Sequence, residues 1–152
     1  MRHVVAVLAT AALMTACASS RNSNPGPSDV QVSLSQAEVT STGGLYPAGL
    51  INVQYQITVV NPTNNTLTLK RLDLQSIGLG AYSIHTGPTP MHETVVANGI
   101  STIGLSAWAN ARGGFLIKNE PVTLRGTATF DDGHGHTFTS LFTDTLSEFG
   151  RS

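Results

Sequence analysis

Residues 51–60 read INVQYQITVV, and the grouping of their side chains decides the fold. Ile51, Val53, Tyr55, Ile57 and Val59 fall on odd positions, with Asn52, Gln54, Gln56 and Thr58 between them. Successive side chains on a strand point to opposite faces, so this segment is a strand with one dry and one wet side. Working outward, the period of two returns. Val122, Leu124, Ala128 and Phe130 share a face with Gly126, opposite Thr123, Arg125, Thr127 and Thr129. Val30, Val32 and Leu34 alternate with Gln31, Ser33 and Ser35, and Phe138 and Phe142 lie two alternation steps apart. Leu67 and Leu69 are in phase, but Leu72 and Leu74 take the opposite parity, which predicts a bulge near Lys70 and Arg71.

Weaker strands are expected at 80–84, 92–96 and 100–107, and a single helical turn at 107–111. Turn signals separate the runs: Asn61-Pro62-Thr63-Asn64-Asn65, Gly87-Pro88-Thr89-Pro90, Ala97-Asn98-Gly99 and Asp131-Asp132-Gly133. About seven short strands, each with one apolar face, must pair as two sheets facing inward. The expected fold is all-β, an immunoglobulin or fibronectin type III-like β-sandwich.

Composition narrows the function. The chain has 152 residues, and its charged fraction of 11% is under half of the roughly 25% of ordinary soluble domains. Lys and Arg number 8 against 9 acidic residues, which leaves no basic patch for a phosphate backbone and argues against nucleic-acid partners.

The first residues read as an export signal. Met1-Arg2-His3 is a positive start, and residues 4–14 (VVAVLATAALM) form an uncharged apolar run. That run is shorter than the roughly 20 residues a bilayer-spanning helix needs, and has the length of a signal-peptide core. Met14-Thr15-Ala16-Cys17 follows and resembles the lipobox of bacterial lipoproteins. The resemblance implies that residues 1–16 are removed and that Cys17 carries acyl chains on its sulfur and its amine. Ala18 in place of Asp after the Cys implies delivery to the outer membrane of diderm bacteria, on its periplasmic face. Ala16-Cys17-Ala18 also fits an ordinary signal-peptidase site, which would release a soluble protein. The single Cys favours the lipoprotein, since an exported domain has no evident use for one unpaired thiol. Residues 17–28 then form the lipidated Cys and a Ser, Asn, Pro and Gly linker, residues 29–146 the sandwich, and 147–152 a tail.

The strand INVQYQITVV, the turn Asn61-Pro62-Thr63 and the strand TLTLKRLDLQ together resemble the late-embryogenesis-abundant type 2 or WHy (water stress and hypersensitive response) domain. The segments VTLRGTATF and HTFTSLF resemble its closing strands. Thr63 stands where the family usually has Asn. The resemblance implies a fibronectin-like sandwich without catalytic residues and a role in protecting proteins or membranes under stress. The Asn-Pro pair also has a local cause: Pro has no N–H to give a ladder, and Asn favours the turn.

Reactive motifs are absent from the sequence: it holds no G-x-S-x-G, H-E-x-x-H or C-x-x-C. No enzyme and no cofactor are expected. His134 and His136 would point the same way on an extended segment and could share copper or zinc, with His85, Met91 and His92 as further donors. The competing reading is an ordinary Asp-Asp-Gly hairpin turn with exposed histidines beside it. Trp108 and Phe115 flank a Gly-containing segment that reads either as a binding loop or as a plug for the open end of a sandwich. The expected function is a membrane-anchored, non-catalytic sandwich that contacts partly unfolded clients or envelope proteins. A periplasmic metal-binding module and an assembly component of an envelope complex are the alternatives.

Overall fold

The computed structural model describes residues 27–41, 49–113 and 120–147. A 3-10 turn at Pro27–Asp29 leads into eight strands: β1 (Gln31–Ser41), β2 (Gly49–Asn61), β3 (Leu67–Ile77), β4 (Tyr82–Ser83), β5 (Thr89–Val95), β6 (Gly99–Ala111), β7 (Val122–Asp131) and β8 (Thr137–Leu146). They form two four-stranded sheets, ordered β1-β2-β6-β4 and β5-β3-β7-β8. Every pairing is antiparallel. The fold is the expected β-sandwich.

The core is the dry face read from the sequence. Ile51, Val53, Tyr55, Ile57 and Val59 from β2 meet Leu67, Leu69, Leu72 and Leu74 from β3, with Val122, Leu124, Ala128 and Phe130 from β7, all buried. Fully burying such a side chain stabilises the fold by about 1.5–3 kcal/mol. No cysteine lies among the described residues, so this burial works without a disulfide. The bulge is present: registers on both sides of β3 shift between Leu69 and Arg71, returning Leu72 and Leu74 to the core. A second bulge lies between Gln36 and Glu38 in β1 and turns Val39 toward the core.

Gly126 leaves a slot in the middle of β7. It pairs with Phe142 across the ladder, and a Cβ there would land inside the Phe142 ring. The ring uses the missing side chain's space and is thereby buried in the core. Phe130 and Phe138, also cross-strand partners, stack with centroids 5.5 Å apart.

Three local expectations are corrected. Residues 107–111 are not a helical turn but the end of β6, which stays in register with β2 as far as Gly49 opposite Ala111. Ala107, Ala109 and Ala111 point inward while Trp108 and Asn110 point out; small alanines had disguised a period of two. Trp108 is therefore neither on a loop nor a plug, but stands 59% exposed on the outer face of a strand. Phe115 lies outside the described residues. The strand expected at 80–84 shrinks to β4, because the chain changes sheets there. Tyr82 and Ser83 pair with β6, and His85 already bridges Gln75 of β3.

The two flanks of the sandwich differ. On one, β1 and β8 are laced across the gap between sheets: the Leu34 N–H donates to Asp144 Oδ2 at 2.7 Å, and the Ser140 hydroxyl donates to the Val30 carbonyl at 3.3 Å. An inward-pointing acid on an edge strand is a known guard against stray strand pairing, and here it also satisfies an edge donor. On the other flank, among the described residues, β6 has a ladder partner on its outer side only at Asn110 and Ala111.

Candidate functional site

The Asn61-Pro62-Thr63 turn closes one pole of the sandwich. Pro62 cannot donate to a ladder, so β2 ends there and Asn61 turns inward, almost fully buried at 1% exposure. Its Nδ2 donates to three carbonyls, Asn65 at 2.8 Å, Val96 at 3.0 Å and Val95 at 3.3 Å. Its Oδ1 accepts from the Thr63 N–H at 3.0 Å and from the Thr63 hydroxyl at 2.7 Å. The Thr63 carbonyl in turn accepts from the Asn98 N–H at 2.9 Å. One amide thus ties the β2–β3 turn to the β5–β6 turn. Asn98 takes a positive φ of 52°, a conformation Asn tolerates better than most residues. The residues that carry the family-like motif act as a clasp for the backbone, and the Thr63 hydroxyl supplies what holds Asn61 in place.

Beside the clasp lies a cleft of about 200 Å³, lined among others by Pro27, Thr63, Asn65, Leu67, Asp132 and Phe138. The Asp131-Asp132-Gly133 turn contributes Asp132 to its lining. Asp131 Oδ1 accepts from the Gly133 N–H at 2.7 Å, and Asp132 Oδ1 from the His134 and His136 N–H groups at 2.8 and 3.1 Å. These backbone donors, with the His136 ring as a lesser influence, hold the Asp132 carboxyl below its usual value. Gly133 and Gly135 both have positive φ, at 74° and 88°, so the chain here is tightly turned rather than extended.

That geometry bears on the metal reading. His136 Nδ1 lies 3.1 Å from Asp132 Oδ2, with the His136 side chain 81% exposed, and His134 is exposed in the same turn. His92 is on β5, separated from β7 and its turn into β8 by the intervening strand β3, and His85 bridges β3 at Gln75. Met91 is half-buried against the core. No group of three His, Cys, Asp or Glu able to hold a metal occurs among the described residues. Cys17 lies outside them, as does all but the last part of the proposed linker.

A buried polar chain escaped sequence reasoning. Tyr55 donates its hydroxyl to that of Tyr82 at 3.1 Å, and Tyr82 donates to Gln36 Oε1 at 2.7 Å. Burial raises both phenol pKa values, that of Tyr82 to about 12. The chain links β2, β4 and β1 inside the core, next to the second bulge. Tyr55 was legible as a core residue, but nothing in the sequence paired it with Tyr82.

No family model matches the chain, and no curated protein matches it. Among solved structures, it is similar to Northeast Structural Genomics Consortium target SoR45, with a TM-score of 0.50 at 14% identity over 80% of this chain and 86% of that one. It also overlaps the solution structure of a protein put forward as late embryogenesis abundant (LEA), with a TM-score of 0.48 at 14% identity over 76% of this chain and 68% of that one. The ASH/PapD-like domain of human CEP192 aligns with a TM-score of 0.42 at 11% identity over 99% and 100%. At these identities the likeness concerns fold alone, and the chain belongs with small β-sandwich domains.

Proposed function

We propose that the protein is a lipid-anchored, non-catalytic β-sandwich of the cell envelope, held at the periplasmic face of the outer membrane through acyl chains on Cys17. It acts there by contact with other proteins, in a stress-protective role. The observation that carries this reading is Met14-Thr15-Ala16-Cys17 after an uncharged run, ahead of a domain whose core uses no thiol. Several chains of buried methylenes, each contributing about 0.8 kcal/mol, hold a protein durably on a membrane. A dozen residues rich in Ser, Asn, Pro and Gly, acting as a tether, would span about 20 Å on average, enough to lift a domain clear of the headgroups. Between 52 and 58 the outward positions of β2 are Asn52, Gln54, Gln56 and Thr58, an uncharged hydrogen-bonding surface suited to contact with other chains.

Mass spectrometry of the mature N-terminus tests the anchor. A chain beginning at acylated Cys17 is expected; one beginning at Ser19 without lipid refutes it. Drying a labile enzyme with the protein tests the role. Activity lost as fast as with an inert protein of equal mass would remove the protective reading and leave the anchor standing.

A further inference from the structure

The outer edge of β6 is a strand edge without the usual guards. After Ser83 the chain leaves β6 for β3, so among the described residues β6 has no ladder partner on that side from 99 to 109. Only the corner near Ser101 is approached, where its hydroxyl donates to the Thr94 carbonyl of β5 at 3.3 Å. Edge strands are ordinarily blunted by Lys, Pro, bulges or inward charges. Here 99–111 reads GISTIGLSAWANA, with no charge, no Pro and no break in register against β2. The opposite flank, by contrast, has its edge donor at Leu34 capped by Asp144.

The sequence of this edge is symmetric in size about Gly104. Outward in one direction come Leu105, Ser106, Ala107 and Trp108; in the other, Ile103, Thr102, Ser101 and Ile100. Both arms run large, small, small, large. We propose that β6 is a homotypic interface, on which two copies of this chain pair antiparallel about a two-fold axis at Gly104. A two-fold contact requires one patch to complement itself, and this one does. On the outer face Ile100 of one copy would lie opposite Trp108 of the other, Thr102 opposite Ser106, and Gly104 opposite Gly104. Ile103 would meet Leu105 on the core side. Ile100 is 70% exposed and Trp108 59%, and pairing covers both. An aromatic beside a β-branched residue is a favourable cross-strand pair, and no like charges meet. Nine paired residues make a ladder of about 30 Å. The added strand supplies backbone hydrogen bonds in the general manner of β-augmentation.

The inference does not depend on the anchor, and the full chain carrying Cys17→Ser in mild detergent tests it separately. In that background Gly104→Cys is expected to form an intermolecular disulfide under gentle oxidation, since a side chain at 104 meets nothing within its own fold. Thr58→Cys, on the neighbouring β2, is expected to remain unlinked. Sedimentation should give a dimer, reduced to monomer by Thr102→Lys with Ser106→Lys, which sets Lys against Lys at two places. Thr102→Glu with Ser106→Lys sets opposite charges there and should restore the dimer. A monomer throughout, or a dimer whose mass ignores both charge variants and which does not link through 104, overturns the proposal.

Discussion

Replacing Gly126 by Ala adds one methyl group, and the structure gives that change a definite sign. The new Cβ would fall inside the Phe142 ring, so either the ring leaves its slot or β7 and β8 move apart. Overpacking of this kind costs about 1–3 kcal/mol. Gly126→Ala should fall in the upper half of that range, since the opposing atoms belong to a ring held in the core rather than to a flexible tip. Phe142→Ala alone removes a buried aromatic, for about 3–5 kcal/mol. The informative chain is the double variant. With the ring gone, Ala at 126 meets no clash and removes the backbone freedom of Gly, a gain of about 0.5–1 kcal/mol. The effect of Gly126→Ala should therefore reverse between the two backgrounds, a coupling of about 2.5–4 kcal/mol, at or above the large end of measured pairs. Urea denaturation of the four chains at equal slope reads it directly. Additive effects, or a neutral Gly126→Ala in the parent, would show that Phe142 does not occupy the glycine's space.

Other predictions follow from the clasp, the tyrosines and the turn. Asn61→Ala should destabilise by about 2 kcal/mol, because it strands the buried carbonyl of Val95 and removes the part-buried bonds to 65 and 96, while Pro62→Ala should cost under about 1 kcal/mol; chemical denaturation separates them. Raising the pH should unfold the protein before its buried phenols ionise. The unfolded Tyr titrates near 10 and folded Tyr82 near about 12, so stability is intact below 10 and declines as pH rises above it. Tyrosinate absorbance at Tyr55 and Tyr82 should thus appear together with loss of the strand dichroism signal, and a folded chain showing full tyrosinate would contradict their burial. Asp132, titrating below the ordinary value of about 3.9, adds stability that is present above that pH and lost as pH falls through its folded value. Its carboxyl carbon should titrate below that value by NMR, and the stability advantage over Asp132→Asn should vanish in strong acid.

Most of the fold was legible because alternation reports directly on which face meets water. Residues 51–59, 122–130 and 30–34 each declare their inner side, and the parity change between Leu69 and Leu72 declares a bulge. The same signal between Leu34 and Val39 was equally available, but Ala37 and Glu38 blur it. The end of β6 was hidden because alanines suit a helix as well as an inner sheet face, and only the ladder with β2 decides. Asn61 and Thr63 could be read as a turn but not as a clasp, since their partners at 95, 96 and 98 are more than thirty residues distant. In the sequence Asp144 stands between Thr143 and Thr145. Its inward parity on β8 was the available sign of its role, and Leu34, which it contacts, lies 110 residues away.

The lacing of β1 to β8 limits how far copies of this protein can accumulate. If two molecules join through β6, the combined sheet runs β1-β2-β6-β6-β2-β1, and each rim is a strand already riveted to its own domain by Asp144 and Ser140. In the other sheet the rim opposite β8 is β5, which carries Pro90 and Glu93, poor substrates for further extension. Recruitment therefore stops at a pair. A carboxylate and a hydroxyl, far from the joint itself, keep a sticky rail from seeding a fibre.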